Sequence, residues 1–140
     1  PMIINNVLLD KLCNKAHNSV RLRANYDLRT SNEDKSQRML NALMPGTIVP
    51  IHRHTESVET VIILRGKLFS VFYDDMGAQI ERYLLDPSTG IFGLQIPKGQ
   101  WHAVEIIEPS VIFEAKDGPF VPLQPEDTME NDNSKITLIL

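Results

Sequence analysis

Long apolar runs are missing from this chain. No stretch approaches the roughly 20 residues needed to cross a bilayer, so no membrane span is expected. Cysteine is almost absent as well. Cys13 stands alone and can form no internal disulfide, which suits a reducing compartment and a cytoplasmic location. Basic charge is in deficit, with 14 Lys and Arg against 18 Asp and Glu. No positive field is therefore available to attract nucleic acid. The first residues, Pro1–Asn6, lack a basic patch followed by an apolar core, so they do not read as a signal peptide. Internal repeats and low-complexity tracts are absent too. What remains is 140 residues with 42% hydrophobic and 23% charged content, the make-up of one globular domain.

Taken in order, residues 6–18 place Leu8, Leu9, Leu12, Cys13 and Ala16 at helical spacing, with Asn5 or Asn6 as the cap. Cys13 is expected to be a small buried hydrophobe. The alternation in Val20–Ala24 predicts a strand with Arg21 and Arg23 on one solvated face. A polar turn follows at Thr30–Lys35, then a short helix over Asp34–Met44 that Pro45 and Gly46 terminate. From Gly46 the pattern changes. Val61–Leu64, Lys67–Tyr73, Gln79–Leu85, Ile91–Ile96, His102–Ile107 and Ser110–Ala115 are rich in β-branched and aromatic residues and are divided by Gly, Pro and Asp turns. Short strands at this spacing predict an all-β sandwich or barrel. The expected layout is a single domain over 1–140: a helix and arm in 1–44, the barrel in 45–123 and a tail in 124–140. The apolar Ile136–Leu140 is expected to be buried, as an added strand or in a subunit contact.

Histidine is scarce, with four in all, and three of the four fall in two short stretches. The first is Gly46–Gly66, where His52 and His54 are separated by one residue and Glu59 follows five positions later. In extended chain, residues i and i+2 point to one side, and Pro50 argues against a helix here. Two imidazoles and a carboxylate are the donor types of a divalent metal site. The second stretch is Pro97–His102, where a Pro-x-Gly bend delivers His102 to the start of a strand. If the face that His102 shares with Val104 and Ile106 is the interior, His102 can meet the other three.

Gly46, His52, His54, Glu59 and Gly66 together resemble the first sequence motif of the cupin superfamily. Pro97, Gly99 and His102 resemble the core of the second, with Gly90 one position early and Ile106 where an asparagine often stands. The resemblance implies a cupin double-stranded β-helix, or jelly-roll barrel, over about residues 45–115, with a short N-terminal helical extension. It also implies a metal held by His52, His54, Glu59 and His102. Further segments (Gln37–Leu43, Leu64–Gly66, Trp101–His102 and Glu114–Pro119) resemble WbuC-type cupin metalloproteins. These are small single-barrel proteins often encoded with surface-polysaccharide genes.

Three imidazoles and a carboxylate suit Fe, Mn, Ni, Co or Zn alike. On an octahedral ion they leave two open positions, whereas on tetrahedral zinc they close the shell. Glu114 and Lys116 share one strand face and are candidates for an acid/base and a cation near the metal, although parity leaves open which face is inward. Trp101 is a candidate pocket or rim residue, and the family likeness brings Arg38 and Gln37 toward the pocket. Arg53 should point away from the metal by parity. Three functions follow: a metal-dependent isomerase or epimerase acting on a sugar or sugar nucleotide, a non-haem iron dioxygenase, or a non-catalytic metal- and ligand-binding cupin. The expected partners are a small-molecule ligand and a second copy, as a homodimer joined through sheet edges and the apolar ends Met2–Ile4 and Ile136–Leu140. Neither nucleic acid nor membrane is expected.

Overall fold

The computed structural model describes residues 1–129; the Ile136–Leu140 segment lies outside them. The chain opens with helix α1 (Asn6–His17) and continues through strands β1 (Arg23–Asp27), β2 (Ser36–Leu43), β3 (Glu59–Tyr73), β4 (Gln79–Leu85), β5 (Gly93–Ile96) and β6 (Trp101–Asp117). Strand order is β1-β2-β6-β3-β4, all antiparallel, with β5 pairing the start of β3. This is the expected all-β jelly roll with one short N-terminal helix.

Helix α1 forms where its spacing predicts. Asn5 Oδ1 accepts from the Leu8 amide at 3.1 Å, filling one of the unpaired donors of the first turn. Leu9, Leu12 and Ala16 then form one buried stripe. That stripe packs on Ala24, Leu40, Ala42, Met44 and Val111, with Cys13 partly buried at its margin. A second cluster, of Leu43, Val61, Ile63, Leu68, Phe72, Leu85, Ile96 and Ile112, fills the barrel interior.

Residues 34–44 depart from expectation, since Ser36–Leu43 is a strand and not a helix. Leu40, Asn41, Ala42 and Leu43 are all buried because β2 has α1 on one face and the barrel interior on the other. A strand covered on both faces loses its alternation and cannot be told from a buried helix by periodicity. The Arg38–Asp34 pair at 3.0 Å has helical i,i+4 spacing but spans a turn into a strand. Since β1 and β2 both join the sheet, the chain before residue 45 contributes more than a helix and an arm. β1 also starts later than expected, at Arg23, after Leu22 at φ 56° breaks the extended chain. Val20 is fully exposed, while Arg23 is buried and does not lie on a solvated face.

Two expected turns prove to be kinks within strands. Arg65-Gly66 lies inside β3 and Glu108-Pro109 inside β6, and the ladder between them shifts register at that point. Such bulges bend paired strands together, which lets β3 and β6 serve both halves of the roll. Gly66 sits at φ 94°, and a Cβ there would meet Pro109 O at 2.3 Å. Only glycine fits such a position.

Candidate metal centre

His52 and His102 are joined by their own backbones. His52 N donates to His102 O at 3.0 Å, and His102 N donates to His52 O at 2.9 Å. The region of His52 is thus an isolated bridge against the start of β6 and not a full strand. Gly99 N donates to His54 O at 2.8 Å, fastening the Pro97–Gly99 bend to the other histidine stretch. The ring centroids of His52 lie 4.2 Å from His102 and 5.2 Å from His54. One ligand atom from each of the three rings falls within 4.8 Å of the others.

The outer nitrogens orient the rings. His52 Nδ1 lies 2.9 Å from Pro50 O, and His102 Nδ1 lies 2.9 Å from Gln100 O. A carbonyl only accepts, so each Nδ1 carries the proton and leaves the Nε2 lone pair free. Among the described residues, His54 Nε2 is buried without any hydrogen-bond partner. A buried orphan nitrogen is costly, and a shared cation is the occupant that three converging imidazoles satisfy. The donor set therefore fits a divalent metal.

Glu59, at the start of β3, brings Oε2 to 3.3 Å from His102 Nε2, while its Oε1 is 3.6 Å from Lys116 Nζ. The fourth predicted ligand is thus beside the trio. Burial acts to raise the Glu59 pKa, but the adjacent His102 ring and then the Lys116 ammonium outweigh it and hold the carboxyl well below its ordinary range. His52 is pushed well below the usual imidazole value by burial and then by the neighbouring histidines. His54 is lowered to about 4, by burial first and Lys116 second. Both are neutral near pH 7, the state in which imidazole ligates metal.

The inward face of β6, which parity left open, carries Ile112, Glu114 and Lys116. Lys116 lies in register between Gln37 of β2 and Glu59 of β3. Glu114 is raised to about 7, by burial first and the Glu59 charge second, and its Oε2 has no partner. Beside it Asn41 is wholly buried, and among the described residues its amide makes no well-formed hydrogen bond. Sequence reasoning missed Asn41, because its position was assigned to a helix. A void of about 20 Å³ lies among Asn41, His52, Glu59, His102 and Glu114, room for about one water.

A larger cavity of about 460 Å³ opens on the other side, at His54, Ser57 and Lys116. Residues 117–124 and Asp127 form much of its wall. This strap is fastened by Gln37 Nε2, which donates to Gly118 O and Pro119 O at 3.2 Å, and by the Arg53–Asp127 pair at 3.0 Å. Gln37 lines this cavity, and it does so from a strand and not from a helix. Arg38 does not, because it shares the α1 side of β2 and its guanidinium is held by Asp34, Ser36 O and Leu28 O. Trp101 also corrects the expectation. It is buried, donates to Asp75 Oδ1 at 3.2 Å and is stacked under Arg53 at 4.5 Å, so it is packed beside the cavity without lining it. Arg53 itself does line the cavity wall.

Residues 4–85 match the family described as a domain of unknown function (DUF6016). The chain belongs to that family. No curated protein matches it. Among solved structures, it is similar to the capsular polysaccharide assembling protein CapF from Staphylococcus aureus, at 23% identity and TM-score 0.64, covering 79% of this chain and 32% of CapF. It is also similar to oxalate oxidase in complex with the substrate analogue glycolate, at 14% identity and TM-score 0.58, covering 72% of this chain and 53% of the enzyme. A conserved protein of unknown function from Streptococcus pyogenes, SPY1581, matches at 16% identity and TM-score 0.56, over 74% of this chain and 80% of its own. The fold shared with CapF and oxalate oxidase is that of the cupins, and this chain spans only part of either protein. Among the described residues, no helix is long and apolar enough to cross a membrane.

Proposed function

We propose that this DUF6016 protein is a metal-dependent cupin enzyme acting on a small polar substrate, a sugar or sugar nucleotide, in surface-polysaccharide metabolism. The observation that carries the metal is the converging trio of His52, His54 and His102, with two Nδ1 atoms tied to carbonyls and one Nε2 left bare. Glu59 completes the ligand set in this reading. A bound Fe, Mn, Ni, Co or Zn ion would polarise a carbonyl or vicinal hydroxyls of the substrate. Glu114 is the candidate acid/base, a buried carboxyl whose proton is held near neutrality, and Lys116 orients the substrate from the cavity floor. The similarity to CapF and the likeness to WbuC-type cupins support the polysaccharide setting. A cytoplasmic location, a single domain over 1–140 and a homodimer belong to the same proposal; exposed Met2, Ile3 and Ile4 support the last.

The test is element analysis of natively purified protein beside its His52→Ala and His102→Ala variants. The expected result is about one divalent ion per chain in the parent and none in the variants, with far-UV circular dichroism preserved. Undiminished metal in either variant would sink the assignment. Conversion of supplied sugars or sugar nucleotides, followed by NMR, then tests the reaction.

A further inference from the structure

We propose that the 117–124 strap is the specificity-determining wall of the 460 Å³ cavity, and that it takes an aromatic ring carried by the ligand, with Phe120 as the stacking partner. This rests on the small-polar-ligand reading above for the end of the ligand near His54 and Lys116, and it deepens that reading. The ligand is a conjugate bearing an aromatic group and not a bare sugar. The observation behind it is the contrast between the two sides of the cavity.

One side is the 53–57 segment, which presents Thr55, Glu56 and Ser57 beside Arg53 and His54. The other is the strap, where Pro119, Phe120, Val121, Pro122 and Leu123 follow one another without a polar residue. The first four of these are exposed, Phe120 by 36% and Val121 by 66%. Four consecutive exposed apolar residues are a liability on a surface and are expected only where they serve binding. Their place on a concave wall suits a small molecule, and about 460 Å³ lies in the range of sites for drug-sized ligands. A cavity with one polar and one apolar side takes a ligand divided in the same way.

The strap is built to stay where it is. Pro119, Pro122 and Pro125 each fix φ and carry no N–H. At one end Gly118 N donates to Lys35 O at 2.7 Å, and Gln37 Nε2 donates to Gly118 O and Pro119 O, both at 3.2 Å. At the other end Arg53 N donates to Asp127 O and Arg53 Nε to Asp127 Oδ1, both at 3.0 Å. A wall pinned at both ends and stiffened by proline has little freedom left to lose when a ligand seats on it.

Phe120 gives this wall its preference. The Arg29 guanidinium lies 5.8 Å from its ring centroid, and Asp27 fixes Arg29 in turn, accepting from Nε at 3.0 Å and from Nη2 at 2.8 Å. An aliphatic wall accepts any apolar group of the right size. Aromatic rings attract one another beyond the area they bury, so Phe120 favours a second aromatic ring over a saturated one.

The test uses the full chain, treated with chelator and labelled at its methyl groups, with phenol and cyclohexanol as probes. The two are similar in size and hydrophobicity and differ in whether the ring is aromatic. Binding is read by NMR titration of the Val121 and Leu123 methyl signals. Phenol should bind roughly three- to tenfold tighter than cyclohexanol. Phe120→Leu should bring the two affinities together, and Phe120→Trp should restore the preference. Phe92→Leu, at a phenylalanine 57% exposed and outside the cavity, should change nothing. Equal affinities in the parent, a preference that survives Phe120→Leu, or binding that leaves the Val121 and Leu123 methyls unmoved would each overturn the inference. The titration needs no ion, so its failure is separate from that of the metal centre, which the element analysis above decides.

Discussion

The two faces of the β2–β6 ribbon are built from alternating residues of the same strands, yet they differ in what they bury. The face toward α1 buries Leu40, Ala42 and Val111, all apolar. The inward face mixes Leu43 and Ile112 with Asn41, Glu114 and Lys116, and by pairing register Arg23 and Asn25 as well. Among the described residues, six of the seven buried polar atoms without a partner belong to this inward row; the seventh is His54 Nε2. Neighbouring residues therefore serve different ends. One face supplies stability, and the other holds polar groups at a cost that a core selected for stability alone would avoid.

Leu40→Ala strikes the first face and should have the largest effect on stability. Removing a fully buried leucine costs about 2–5 kcal/mol, and urea denaturation should show it. Metal stoichiometry should stay at the parent value while the variant is folded. A metal loss equal to that of His102→Ala would show that the faces are coupled.

Glu114→Gln probes the second face through pH. The folded pKa of about 7 lies above the ordinary 4.5, so the stability that Glu114 contributes is fully present below pH 4.5 and is lost as pH rises through 7. In chelator-treated protein, the stability of the parent relative to Glu114→Gln should fall by about 3 kcal/mol across that range. His54 works in the opposite sense. Its pKa is lowered from 6.5 to about 4, so its contribution is present above pH 6.5 and is lost as pH falls through 4. A flat difference between parent and Glu114→Gln would mean that Glu114 is hydrated like a surface carboxylate.

Arg23→Met should change least. The Arg23 guanidinium is buried with Nε and one terminal nitrogen unpaired, and its contact to Ile48 O is long, at 3.5 Å. Replacing an unpaired buried cation by an apolar chain of similar length is close to neutral or stabilising. The expected shift is within about 1 kcal/mol or upward. A loss above about 3 kcal/mol would reveal a strong partner for Arg23.

What was legible in the sequence tracks how local its causes are. The α1 stripe, the His52–His54 spacing and the Pro97–Gly99 bend are set within a few residues, and each forms as read. The inward direction of Glu114 and Lys116 was open until pairing with β3 put Lys116 opposite Glu59. The identity of β2 needed both of its covering layers, and its misreading as a helix hid Asn41 and misdirected Arg38. Gly66 reads from sequence as a turn between two strands, because its contact with Pro109 lies more than forty positions away. The strap was not legible at all, since the Arg53–Asp127 pair that fastens it joins residues 74 apart.

The reciprocal bridge between His52 and His102 bears on how this protein acquires an ion. Two of the proposed ligands stand on backbone joined by its own hydrogen bonds, and their rings are turned by carbonyl oxygens of the same chain. On the proposed reading, uptake should require no folding, and treatment with a chelator should leave the bridge intact as a cradle. Such a cradle exchanges one first-row metal for another by simple competition, following intrinsic affinity and supply. The ion recovered with the protein will accordingly report the growth medium as well as the chain, and cells given excess zinc or copper should yield a mismetallated but well-folded population.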